Sequence, residues 1–103
     1  MSINITTSQD GITVKFDGPL NFSINEAFET TIEQLKKLAP KPKRVTFDLA
    51  RVNQIDSVGL GLLYIAHEDF SDLRVPFTLA EPSEPVKRLL ELTESEKTFD
   101  IRR

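Results

Sequence analysis

The chain has 103 residues, enough for one ordinary domain and too few for two. Leu, Ile, Val and Phe supply 33 of them, well above the level of disordered chains, so a core is expected. With 13 Lys and Arg against 16 Asp and Glu, the net charge of −3 offers no broad basic surface for nucleic acid.

Cysteine is absent, which excludes disulfides, thiolate metal sites and cysteine nucleophiles. The start, MSINITTSQD, has no basic region followed by an apolar one, so it does not read as a secretory signal. The longest apolar stretch, Val58 to Ala66, falls far short of the ~18–20 residues that span a bilayer, so no membrane insertion is expected. A cytoplasmic location is the default expectation.

In chain order, Ile3 and Ile5 and then Ile12, Val14 and Phe16 recur at period two, as half-buried strands do. Asp10-Gly11 between them is a hairpin signal, and Gly18-Pro19 is expected to end the second strand. From Ser23 the period changes: Ile24, Ala27, Phe28, Ile32, Leu35 and Leu38 share one helical face. Ser23 and Glu26 form a capping-box pattern at its start, and Pro40 stops it. The basic group Lys36, Lys37, Lys41, Lys43 and Arg44 reads as a solvated helix end.

Val45, Phe47 and Leu49 predict a third strand, a polar loop follows, and a second helix is expected from Ser57 to Phe70. Val75, Phe77 and Leu79 predict a fourth strand, with Pro76 marking an edge or a strand start. Ser83 is a candidate cap for a third helix with Pro85 in its first turn, and Thr98 to Ile101 is a short last strand. The order β-β-α-β-α-β-α-β predicts an α/β fold: a mixed five-stranded sheet with about three helices packed on it, in one domain over residues 1–103. Ile24, Phe28, Ile32, Leu35, Val45, Phe47, Leu49, Leu62, Ile65, Val75, Phe77, Leu79, Leu89 and Leu90 are the expected core.

Chemistry concentrates between Asp48 and Leu62. Ser57, at a helix start, fits both a plain N-cap and a site that carries an anion on its oxygen. Gly59 and Gly61 each cost about 1 kcal/mol against Ala in a helix, which implies close approach by the chain's own sheet or by another molecule. Leu60 and Leu63 widen the apolar face beyond the stripe one sheet needs, so they are either exposed to a partner or covered by the third helix. The single histidine, His67, lies ten residues beyond Ser57, about 15 Å along the helix and too far to act as its base. No phosphate-binding loop, dinucleotide fingerprint or metal motif is present, and no enzyme activity or cofactor is expected.

Asp48-Leu49, Val52, Ile55-Asp56-Ser57 and Gly59-Leu60-Gly61 together resemble the STAS domain signature. That family comprises the bacterial anti-sigma factor antagonists and their relatives in sulfate transporters. Gly18-Pro19-Leu20, the stretch from Glu81 to Thr93 and Phe99-Asp100-Ile101 extend the resemblance over most of the chain. It implies that Ser57 is the serine that a partner kinase phosphorylates and a serine phosphatase resets. It further implies that Asp56 is the acidic neighbour used in partner contact; with it, Asn21, Asn53, Ser57, Val58, Gly59, Leu60, Gly61 and Leu63 are the candidate contacts for an anti-sigma factor or related serine kinase.

Many antagonists carry an acidic residue at the position of Asn21. The family's usual C-terminal helix has no counterpart up to Arg103, so the sheet face it covers is expected to be open. Two other roles stay within the resemblance. One is an accessory subunit docking constitutively on a transporter or lipid-trafficking ATPase; the other is a domain that senses a nucleotide or small ligand.

Overall fold

The computed structural model describes residues 2–103. Strands β1 (Ser2–Ser8), β2 (Gly11–Leu20), β3 (Val45–Ile55), β4 (Phe77–Ala80) and β5 (Asp100–Arg102) form one sheet in that spatial order. Helices α1 (Asn25–Lys36), α2 (Ser57–Asp72) and α3 (Glu84–Leu92) connect the last four. The β1–β2 pair is antiparallel and the rest are parallel, giving the expected mixed α/β sheet.

Each parallel crossover steps one strand in the same direction, and the right-handed preference of such crossovers sends every helix to the same face. Burial follows. Ile12, Val14, Phe16, Val45, Phe47, Leu49, Phe77 and Leu79 are buried on the helix-covered face. Lys15 and Asp17 on the opposite face are exposed, and Thr13, Thr46 and Asp48 are half-buried. Phe47 sits at the centre, edge-on to Phe16 at 4.9 Å and to Phe77 at 4.7 Å, with Phe28 of α1 at 5.8 Å. Such pairs add about 0.5–1.5 kcal/mol each beyond the area they bury, locking α1 to the middle of the sheet.

Several expectations need correction. The polar stretch after Leu49 is strand rather than loop: β3 runs on to Ile55 because its backbone pairs with β2 from Asp17↔Arg51 to Leu20↔Ile55. The same pairing carries β2 through Gly18-Pro19 to Leu20, with a register shift between those two residues. Helix α1 starts at Asn25 rather than Ser23, because the Asn21 side-chain oxygen accepts from the Ser23 amide at 2.9 Å and its hydroxyl at 2.6 Å. That draws Phe22–Ile24 into a 3-10 turn. Ile65 is 52% exposed, not core, and Leu89 is only partly buried; the other expected core residues are buried.

The basic group is largely consumed inside the molecule. Lys36 lies 3.4 Å from Glu33 and 3.8 Å from Asp69, and Lys41 Nζ donates to the Leu73 carbonyl at the C-terminus of α2 at 2.9 Å. Arg44 donates to Thr78 Oγ1 at 2.6 Å. A cation on the last carbonyls of a helix is favourable against its dipole. Among the described residues, no helix is long and apolar enough to cross a membrane.

Candidate functional site

The site begins where β3 outruns β4. Their pairing stops at Asp48↔Ala80, so the far half of β3 projects with Asn53 and Gln54 exposed. The chain then turns into α2 at Asp56, whose extended backbone (φ −125°, ψ −172°) makes it the cap. Its Oδ1 accepts from the Gly59 amide at 2.9 Å, and its carbonyl accepts from the Leu60 amide at 2.9 Å.

Asp56, not Ser57, therefore caps the helix. A carboxylate satisfies a first-turn amide through a charge-assisted bond, so the neighbouring hydroxyl is not needed there. Ser57 is the first helical residue; it is exposed, and its hydroxyl has no hydrogen-bond partner among the described residues. The amides of Ser57 and Val58 precede the first intrahelical acceptor and point outward from the positive end of the helix.

The two glycines do different things. A Cβ on Gly59 would overlap the Leu20 carbonyl, with the Ile55 side chain close behind, so Gly59 lets α2 press onto the ends of β2 and β3. Gly61 has no heavy atom within 4 Å of where its Cβ would stand, and it faces open space. Leu60 and Leu63, expected as possible contacts, are buried at 8% and 0% exposure. Like Gly59, they serve internal packing and offer no contact surface.

What remains outside is a stripe at helical spacing: Val58 (41% exposed), Gly61 and Ile65 (52%). The Leu20–Gly59 contact brings the β2–α1 turn to the same end, where Phe22 is 73% exposed. Asn21 is half-buried there and holds that turn with its side-chain oxygen. Sequence reasoning missed Phe22 and Ile65. Phe22 falls outside both periodic patterns, and Ile65 lies seven residues from Val58 with Gly61 between, a spacing that marks one face.

Beyond the stripe the helix is occupied internally. Tyr64 donates to Ser95 Oγ at 2.7 Å and packs on Phe99 at 4.8 Å. His67 stands edge-on to Phe99 at 5.4 Å. Ser83 occupies the cap position of α3, but its hydroxyl donates to the Val52 carbonyl and its amide to the Leu49 carbonyl. That pins the start of α3 to β3, below the site.

The STAS domain family model matches residues 2–103. The chain belongs to the STAS domain family. A STAS-domain containing protein of Pseudomonas aeruginosa is 27% identical, over 98% of this chain and 99% of its own length. The Thermotoga maritima protein TM1081 superposes with a TM-score of 0.85 at 24% identity, over 98% of this chain and 86% of that one. The anti-sigma factor antagonist SpoIIAA, solved in its unphosphorylated form, superposes at 0.73 with 13% identity, over 99% and 87% of the two chains. These superpositions establish the shared fold; in this STAS domain, the region around Ser57 follows the local geometry described above.

Proposed function

We propose that this STAS domain is a regulatory switch of the anti-sigma factor antagonist type, working in the cytoplasm. Unmodified, it binds an anti-sigma factor or related serine kinase with Asn53, Asp56, Ser57 and the Val58–Gly61–Ile65 stripe. Phosphorylation of Ser57 by that kinase ends the binding, and a serine phosphatase restores it. The observation that carries this reading is the division of labour at the helix start: Asp56 makes the cap bond, and the Ser57 hydroxyl is exposed and unengaged among the described residues.

A phosphate there adds about −1.5 to −2 charges. Within the domain the outward amides of the first turn accommodate it, so the fold is retained. At an interface the same group is costly, since burying an unpaired dianion beside Asp56 is opposed by desolvation and by any acidic partner surface. A loss of about 3 kcal/mol is roughly a hundredfold in affinity.

The test is capture of partners from the native host with wild type, Ser57→Ala and Ser57→Asp, together with intact mass. A kinase-type partner held by wild type and Ser57→Ala and lost by Ser57→Asp is the expected result. Equal binding of all three, above all to a transporter or ATPase, would overturn the switch in favour of constitutive docking. A small molecule co-purifying in the intact mass would point to ligand sensing.

A further inference from the structure

The two edges of the sheet differ in a way the switch does not use. The β5 edge is three residues long and charged, with Asp100 within 3.8 Å of both Arg44 and Arg102. Short, charged edges resist strand addition. The β1 edge is seven residues, Ser2–Ser8, with no charge, no proline and an unbroken register against β2. None of the usual protections is present.

The direction of its free backbone groups follows from β2. The Ile12 amide donates to the Arg44 carbonyl on the β3 side, so alternate β2 residues turn their backbone toward β3. Gly11, Thr13, Lys15 and Asp17 then face β1, and their partners Ser8, Thr6, Asn4 and Ser2 are the hydrogen-bonded ones. Ile3, Ile5 and Thr7 are left with amides and carbonyls directed at the open edge. Ile5 is also 44% exposed on the helix-bearing side, although it pairs with buried Val14. Beside it a groove of about 610 Å³ is lined by Ile3, by Ser23 of the preceding turn and by Glu26, Ala27, Thr30 and Thr31 of α1.

We propose that the β1 edge is an interface for a second copy of this chain, paired antiparallel about a two-fold axis at Ile5. Ile5 then meets its own mate and Ile3 meets Thr7, which covers the exposed isoleucine from both sides. Because the strand is uncharged, pairing it with itself sets no like charges opposite each other within the ladder; Glu26, in the groove beside it, is the one acidic side chain turned toward its own mate. The contact uses none of Asp56, Ser57 or Val58, so it stands or falls separately from the switch. One strand pair is small beside the ~800 Å² per partner of a typical stable interface, so the dimer is weak and concentration-dependent.

Sedimentation velocity of the full chain over a concentration series is expected to show the mass rising from 11.7 kDa toward twice that value. Amide exchange at Ile3, Ile5 and Thr7 should slow with concentration, while Asn4 and Thr6 are slow throughout. Ile5→Lys and Ile5→Glu should each stay monomeric with unchanged circular dichroism, and their equimolar mixture should recover the dimer. Thr7→Lys repeats the test from the strand's other end. A wild type that stays monomeric, a dimer in which Ile3, Ile5 and Thr7 still exchange fast, or a mixture that stays monomeric overturns the proposal.

Discussion

Helix α2 presents two faces that the same residue types serve in opposite ways. The inner face holds Gly59, Leu60, Leu63, Ala66 and Phe70, all buried; the outer holds Val58, Gly61 and Ile65, exposed or half-buried. Each face has a glycine and each has branched aliphatics. The difference is what stands opposite: the Leu20 carbonyl lies against Gly59, and open space lies against Gly61. An apolar girth on a helix is therefore not by itself core or contact surface. Its meaning is set residue by residue by the neighbouring backbone.

The largest way to break the inner face is to empty it. Leu63→Ala should cost about 2–5 kcal/mol, through lost transfer energy and the cavity left behind, read as a fall in the denaturation midpoint. The equivalent truncation outside, Ile65→Ala, should leave the midpoint nearly unchanged because half of that side chain is already in water. Equal losses at the two positions would erase the distinction between the faces.

Next in size is Gly59→Ala. The new methyl group meets main chain at Leu20, which cannot move aside as a flexible side chain can. Overpacking of this kind costs about 1–3 kcal/mol, against which a helix-propensity gain of about 1 kcal/mol is the smaller effect. Thermal melting should show net destabilisation. A rise would mean that the β2 end yields and that the junction of β2 and α2 is loose.

Smaller again is Asp56→Ala, which removes the side-chain acceptor of the Gly59 amide. The expected cost is about 0.5–2 kcal/mol, and Ser57→Ala should cost less because its hydroxyl bonds nothing among the described residues. Urea denaturation of the two variants side by side measures the ranking directly. The reverse order would return the capping role to Ser57 and remove the reason for its hydroxyl being free.

Much of this was legible in the amino-acid order. Period-two runs at Ile12–Phe16 and Val45–Leu49 and the helical spacing from Ile24 to Leu35 fixed the element order, since burying one face imposes those periods. The reach of β3 to Ile55 was not, because Arg51, Asn53 and Gln54 are polar and their strand state comes from the backbone of β2. The choice between Asp56 and Ser57 as cap was also hidden, as both residue types cap and only the dihedral angles decide. The start of α2 at Ser57 was readable from the motif. Which of its residues face out was not, because that depends on the carbonyl of Leu20, remote in sequence from Gly59.

The smallest effect on stability is the most informative about the outer face. Gly61→Ala adds one methyl group into open space, so it relieves the backbone entropy of a helical glycine and should raise stability by up to about 1 kcal/mol. The same methyl stands between Val58 and Ile65, where a partner's surface would have to approach. If the outer stripe is the contact surface proposed for it, affinity for the kinase-type partner should fall while the melting temperature rises. Opposite signs in two measurements on one variant cannot come from misfolding, which lowers both. A higher melting temperature with unchanged affinity would restrict the interface to the turn around Asn53, Asp56 and Ser57. A lower melting temperature would show that Gly61 is packed after all, and the two faces of α2 would then be one.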